Sequence, residues 1–314
     1  MSIPAGAQTP PGALALETKI SLGQVRGRID HLAIDLKRQR LFIAELGNGS
    51  LGIIDLAAKK LQRRITGLHE PQGIAYDPDQ DALYVANGGD GSVRIFREED
   101  LSAAGRIELG NDADNVRVDG ARNRVIVGYG NGALAIIDPA TQVKVGDIRL
   151  KAHPESFQID GDRAFVNVPQ AGLIEVVDLV KGEVSGAWPT HLNRANFAMA
   201  VGHDWHRLFA VFRSPARLVI MSSKDGSIVG SIDTCGDADD VFIDTKRQRV
   251  YVTCGAGVID VLERRGDTYG RIGQITTVSG ARTSLFVPEM DRLFLAVRAS
   301  GNEPAAIWVF QPAS

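Results

Sequence analysis

The chain has 314 residues, of which 44% are hydrophobic and 23% charged, and its formal net charge is -3. With 35 basic against 38 acidic side chains and no basic block, the composition argues against nucleic-acid binding. No apolar run reaches the roughly 18 residues of a spanning helix, so we expect no membrane span. Two cysteines are too few for a disulfide framework, and without C-x-x-C-H no haem c is expected.

The first 15 residues predict a disordered lead-in, because they hold three prolines, little charge and no apolar stretch. The sequence Ala5-Gly6-Ala7 has the small-x-small form of a signal-peptidase site. We interpret it as the remnant of an export signal, which predicts a periplasmic or secreted protein. An ordinary terminus rich in Ala, Pro and Gly is the alternative.

The rest of the chain repeats one unit seven times. Each unit has a short apolar strand that closes near Asp, a turn, a strand of the Leu-Phe or Leu-Tyr type, a Gly/Asn loop and two further strands. Copies one and two read DHLAID…LFIAELGNGS and QGIAYD…LYVANGGDGS. The residues that close the first strands lie 42, 42, 41, 42, 42 and 44 positions apart, from Asp35 to Pro288.

This period, with four strands of alternating apolar residues per unit, predicts an all-β, seven-bladed β-propeller over residues 16–314. We expect blades that start near residues 28, 70, 112, 153, 194, 237 and 281. The last unit has only three strands, and residues 16–23 resemble the closing strand of the other units. We therefore predict that this N-terminal strand pairs with the strand around Ile307 and closes the last blade.

The repeats resemble the YVTN-type repeat of bacterial YncE-like propellers. The segments that carry the resemblance are Pro71-Gln72-Gly73-Ile74-Ala75-Tyr76-Asp77-Pro78 and Leu83-Tyr84-Val85-Ala86-Asn87. Gly202 and Pro288 depart from the pattern where Asp is usual. The resemblance implies the fold well and an activity hardly at all.

We call the eight residues that lead into each blade the leading segments, and the face that they share the upper face. They are residues 24–31, 66–73, 108–115, 149–156, 191–198, 233–240 and 277–284, and they hold four of the six histidines: His31, His69, His153 and His191. His203 and His206 fall in the turns of the opposite face. The sequence predicts a polar central pocket on the upper face, with these ligand-binding candidates: Asp30, His31, Gln72, Asp114, His153, Glu155, Asp239 and Arg282.

Two chemistries suit such a pocket. A divalent cation could be held by Asp30, His31, Asp114, His153, Glu155 and Asp239, with mixed oxygen and nitrogen ligands favouring Zn²⁺, Mn²⁺ or Fe²⁺. Alternatively Arg28, Arg194 and Arg282 could hold an anionic ligand while a histidine transfers a proton. The structural alternative is that the Asp and Asn side chains only bond backbone amides in turns.

Other motifs predict little chemistry. Gly47-Asn48-Gly49-Ser50-Leu51-Gly52 matches G-x-G-x-x-G, but it joins two strands and opens no helix, so no nucleotide cofactor is expected. There is neither a G-x-S-x-G nor an H-E-x-x-H sequence. For Cys235 and Cys254 we expect two free, inert thiols, with a disulfide as the alternative.

The leading hypothesis is an exported propeller that binds a small molecule or a divalent metal at this pocket. The first alternative is an enzyme of the lactonase or lyase kind, in which His31, His153 and Glu155 are the catalytic candidates. The second is a scaffold that offers one face to a protein partner. Fold resemblance alone does not decide between them.

Overall fold

The computed structural model describes residues 12–313, and in this range 28 strands form seven four-stranded antiparallel sheets. Each sheet is one blade, so the predicted all-β, seven-bladed architecture is confirmed. Most of the predicted lead-in, residues 1–11, lies outside the described residues. Among the described residues, no helix has the length and apolar character that crossing a membrane requires.

The strands follow one another around the propeller in chain order. The closing strand and blades 1 and 2 are β1 (Leu14–Ser21), β2 (Leu32–Asp35), β3 (Arg40–Glu45), β4 (Ser50–Asp55), β5 (Lys60–Thr66), β6 (Pro71–Asp77), β7 (Ala82–Asn87), β8 (Ser92–Arg97) and β9 (Ala103–Glu108). Blades 3 and 4 are β10 (Ala113–Asp119), β11 (Arg124–Tyr129), β12 (Ala133–Asp138), β13 (Val143–Arg149), β14 (Phe157–Asp160), β15 (Arg163–Val168), β16 (Leu173–Asp178) and β17 (Glu183–Pro189). Blades 5 to 7 are β18 (Arg194–Gly202), β19 (Arg207–Ser214), β20 (Ala216–Ser222), β21 (Ile228–Asp233), β22 (Ala238–Asp244), β23 (Arg249–Cys254), β24 (Val258–Arg265), β25 (Thr268–Thr276), β26 (Ser284–Val287), β27 (Arg292–Val297) and β28 (Ala306–Pro312). Single turns of 3₁₀ helix lie at Leu46–Asn48, Gly120–Arg122 and Pro169–Ala171.

The hydrophobic core lies between neighbouring blades. The second strand of a blade is covered on both faces, and every residue of β7 is buried. The outermost strand is covered on one face, and β17 accordingly alternates exposed and partly buried residues. Apolar runs in the middle strands and alternation in the outer strands are therefore what the packing requires.

The repeated Asp that ends the first strand holds the turn on the lower face. Asp35 Oδ1 accepts the backbone N–H of Lys37 at 2.8 Å, and Asp77 does the same for Asp79 at 3.0 Å. Such bonds are typical of Asp at turns. His203 lies on one of these turns and its Nδ1 is 2.6 Å from Asp160 Oδ1.

The N-terminal strand closes the ring, as predicted. Strand β1 pairs antiparallel with β28, and Ile20 lies opposite Ile307. The strand begins at Leu14, two residues before position 16. The edge of blade 7 is thereby paired, which removes an open sheet edge.

The expectation of two free thiols is wrong, because Cys235 and Cys254 form a disulfide. Cys254 ends β23 and pairs with Ala238 at the start of β22, so Cys235 lies close beside it, with 5.9 Å between the two Cα atoms. That separation is ordinary for a disulfide. The bond fastens the leading segment of blade 6 to its own sheet.

Candidate functional site

Each blade contributes one residue at the same register to a cavity on the upper face. In blade 1 the backbone N–H of Asp30 donates to Ala44 O, and in blade 4 that of Glu155 donates to Asn167 O. These equivalent bonds define the position just above each first strand. We call the set the central ring, and its members are Asp30, Gln72, Asp114, Glu155, Phe197, Asp239 and Arg282.

In four blades a local irregularity turns the ring residue out of the strand ladder. The irregularity is a β-bulge: an extra residue in one strand stays unpaired, and its side chain points in a new direction. The register shifts lie between Pro71 and Ile74, Ala113 and Val116, Asn196 and Ala198, and Ala238 and Asp240. Gln72, Asp114, Phe197 and Asp239 lie inside these intervals.

Close approach of neighbouring blades at this level depends on glycine. A Cβ on Gly73 would lie 2.1 Å from the backbone oxygen of Asp114, so blades 2 and 3 meet with no room for a side chain. Gly88 similarly leaves room for Gln72, whose Nε2 would be 2.0 Å from an added Cβ. The close contact of blades 2 and 3 therefore requires a glycine at position 73, and Gln72 takes the space that a side chain at position 88 would fill.

The cavity above the ring has a volume of about 310 Å³. It brings together all eight residues that the sequence singled out, and their role in binding stays a prediction. The residues concerned are Asp30, His31, Gln72, Asp114, His153, Glu155, Asp239 and Arg282. Among the other residues named at the sequence level, Arg28 also lines it, whereas His69, His191 and Arg194 are not among the lining residues.

Sequence reasoning missed Asn131, Gln170 and Arg213, which also line the cavity. Arg213 lies near the end of β19, and the other two lie in loops that join the second and third strands. These segments share the upper face with the leading segments. A search that had included the ends of the second strands would have found Arg213.

His31 lies between two carboxylates just below the ring. Its Nε2 is 3.8 Å from Asp30 Oδ1 and its Nδ1 is 3.8 Å from Asp240 Oδ1. Burial lowers the pKa of His31, but the charges of Asp30, Asp240 and Asp114 outweigh burial and raise the pKa above its ordinary 6.5. The imidazole also lines the wider channel below, which has a volume of about 480 Å³.

Two arginines neutralise Asp239. Arg213 Nη2 donates to Oδ1 at 2.5 Å, and Arg282 Nε lies 2.8 Å from Oδ2. The Arg213 guanidinium also lies 3.9 Å from the centre of the Phe197 ring, so this apolar member of the ring holds a cation in place.

The third arginine at the cavity, Arg28, donates to Asp30 Oδ2 at 2.7 Å. Each guanidinium therefore has a carboxylate partner. Arg194, which the anion hypothesis included, instead donates to the backbone oxygen of His191 at 2.6 Å.

Glu155 and Asp114 lack such partners. Among residues 12–313, no side-chain hydrogen bond or ion pair involves the Glu155 carboxyl, and the nearest cationic atom paired with Asp114 is His153 Nε2 at 4.0 Å. Burial, followed by the charges of Asp114 and Asp239, raises the pKa of Glu155 to about 8. Burial also raises the pKa of Asp114. At neutral pH the site presents a carboxylic acid beside a carboxylate.

His153 is fixed by its backbone contact. Its Nδ1 donates to Gly130 O at 2.6 Å, which leaves Nε2 directed toward Asp114. Within residues 12–313, no group of three or more His, Cys, Asp or Glu side chains is arranged to hold a metal ion.

Solved structures of similar shape exist, although no protein-family model and no curated protein matches this sequence. A chain of "Kuenenia stuttgartiensis Hydrazine Synthase" is 16% identical with a TM-score of 0.77, covering 89% of this chain and 99% of that one. A chain of "Crystal Structure of Mitotic Checkpoint Complex" is 12% identical with a TM-score of 0.81, covering 98% and 96%. At these identities the likeness shows the fold, and this chain is a seven-bladed β-propeller.

Proposed function

We propose that this protein is an exported propeller that binds a small polar molecule carrying a cationic nitrogen in the central cavity. The observation that carries the proposal is that the buried Asp114 and the partly buried Glu155 form no ion pair with an arginine among the described residues. A cationic group between them would lower the pKa of both carboxyls and supply the missing counter-charge.

The arginines favour a cation over an anion as ligand. Arg28, Arg213 and Arg282 are already paired with Asp30 and Asp239, so much of their positive charge is neutralised within the protein. An approaching anion would also be repelled by the carboxylate of Asp114. The uncharged polar side chains of Gln72, Asn131 and Gln170 offer hydrogen bonds to hydroxyl or carbonyl groups of the same ligand.

The Cys235–Cys254 bond supports export, since disulfides persist mainly in oxidising compartments. The YVTN-type repeats support the further proposal that the protein belongs with the YncE-like bacterial propellers. The Ala5-Gly6-Ala7 sequence lies outside the described residues.

An enzyme is the second candidate, and the observation in its favour is again Glu155. A carboxyl with a pKa of about 8 holds its proton at neutral pH and can release it, which is what a general acid and base of the lactonase or lyase kind requires. A divalent cation at the ring and a protein-binding face remain further predictions. The metal has a separate readout in the experiment below.

The test is a thermal-shift and calorimetric screen of the full chain with three small probes: ethanolamine, the neutral glycerol and the anionic acetate. We expect ethanolamine alone to bind and to raise the melting temperature. Glu155→Gln and Asp114→Asn should weaken its binding at least tenfold, which corresponds to the loss of one charge-assisted contact. His206→Ala, on the opposite face, is the matched control and should bind as the wild type does.

Preferential binding of acetate, or unchanged ethanolamine binding in both carboxyl variants, would overturn the cationic proposal. Elemental analysis of the purified protein tests the metal prediction directly. Hydrolysis of a simple lactone that disappears in Glu155→Gln, while folding is retained, would establish the enzyme instead.

A further inference from the structure

A second pocket lies at the outer edge of the propeller, between blades 4 and 5. Its volume is about 390 Å³, within the range of small-molecule sites. Its wall is largely apolar and includes Trp188, Phe212, Met221 and Ile228. It shares no lining residue with the central cavity.

The tryptophan in this wall is peculiar to blade 4. Trp188 of the outer strand lies opposite Ile174. At the same register, the other blades have isoleucine in the outer strand: Ile20, Ile65, Ile107, Ile148, Ile232 and Ile275. Blade 4 therefore has a large aromatic ring at a position where the other six blades have a branched aliphatic side chain.

The pocket also contains a hydroxyl without a partner. Thr190 is 5% exposed and lines the pocket, and among the described residues its Oγ1 has no hydrogen-bond partner. Leaving a buried hydroxyl unpaired destabilises the folded protein. A ligand that supplied one hydrogen bond at this point would remove that destabilisation.

We propose that this pocket binds a small aromatic molecule that carries one hydrogen-bonding group. The ring contacts Trp188 and the apolar side chains of blade 5, and the polar group bonds Thr190 Oγ1. The size, the largely apolar wall and the buried unpaired hydroxyl of Thr190 together favour this class. The inference is independent of the function proposed for the central cavity.

The experiment titrates the full chain with p-cresol, with toluene, which lacks the hydroxyl, and with 4-methylcyclohexanol, which lacks the aromatic ring. Ligand-observed NMR and calorimetry provide the dissociation constants. We expect p-cresol to bind more tightly than both analogues. Thr190→Val, which keeps the shape of the side chain, should weaken p-cresol about three- to tenfold and leave toluene unchanged.

Trp188→Ile, which restores the residue of the other blades, should weaken both aromatic probes while the protein melts cooperatively. Glu155→Gln should change neither, which separates this pocket from the central cavity. Absence of p-cresol binding to the wild-type protein overturns the proposal. So does p-cresol binding that is unaltered in both Thr190→Val and Trp188→Ile.

Discussion

Asp114 is, after burial itself, the strongest influence that raises the pKa of Glu155, its counterpart in the next blade. Two carboxyls that line the same cavity repel each other when both are charged, so ionising the second has a large electrostatic cost. The proton on Glu155 is thus a consequence of where the propeller places two side chains that are 41 residues apart in the chain.

This relationship predicts a pH-dependent stability. The pKa of Glu155 is raised from 4.5 to about 8 in the folded protein, so its contribution to stability is fully present below about pH 4.5 and is lost as the pH rises through 8. Glu155→Gln removes that loss. The free energy of unfolding of the variant should therefore rise relative to wild type by a few kcal/mol between pH 5 and 8, measured by urea denaturation.

Glu289→Gln is the matched control, because Glu289 lies exposed on a lower-face turn. The difference in the free energy of unfolding between Glu289→Gln and wild type should stay constant over the same pH range. Parallel pH profiles for wild type and Glu155→Gln would contradict the raised pKa.

The contact between Gly73 and Asp114 predicts that a glycine-to-alanine substitution here lowers the free energy of unfolding far more than it does at an open position. Gly73→Ala should lower the free energy of unfolding by about 1 to 3 kcal/mol, because the Cβ would overlap the Asp114 backbone oxygen. Gly146→Ala is the control, since an added Cβ there meets nothing within 4 Å. Guanidinium unfolding that gives equal stabilities for the two variants would show that blades 2 and 3 separate easily.

The disulfide predicts sensitivity to reductant. Closing a loop of 19 residues stabilises a fold by about 3 kcal/mol, so the Cys235→Ala/Cys254→Ala protein should lose that amount and melt several degrees lower. Dithiothreitol should lower the melting temperature of the wild-type protein and leave the double variant unchanged. If reductant affects both equally, the bond is not what stabilises blade 6.

The closing strand predicts different costs for two side chains on its opposite faces. Ile20 is 2% exposed and packs in the core between blades 7 and 1, whereas Leu16 is 45% exposed. Ile20→Ala should cost about 2 to 5 kcal/mol and Leu16→Ala well under 1 kcal/mol, measured by thermal unfolding. Similar losses for both variants would mean that β1 contributes little to closure.

The fold could be predicted because each blade repeats the same apolar pattern and five of the seven carry the same Asp at the turn after the first strand. The closing strand followed from a missing fourth strand in the last unit. In the same way, residues at one spacing were expected to share one face, and Asp30, Asp114 and Glu155 do line one cavity. Periodicity is visible in a single sequence because it needs no knowledge of distant contacts.

What could not be predicted depends on pairs of residues that are distant in the chain and meet only in the folded protein. The sequence gives no sign that Arg213 bonds Asp239 or that Phe197 supports that arginine, because the partners lie in different segments. The sequence likewise favoured free thiols at Cys235 and Cys254, with the disulfide only as the alternative. Whether two such side chains meet depends on local backbone geometry, including the register shift beside Ala238.

The residues of the central ring are distinct from the residues that hold the blades together. The seven side chains of the ring point into the cavity, while the apolar faces that hold the blades together belong to other positions of the same strands. A library randomised at these seven positions should consequently yield many folded propellers with altered ligands. Under the proposed function, substituting the one ring residue of a blade changes the ligand and leaves the contacts between blades unchanged.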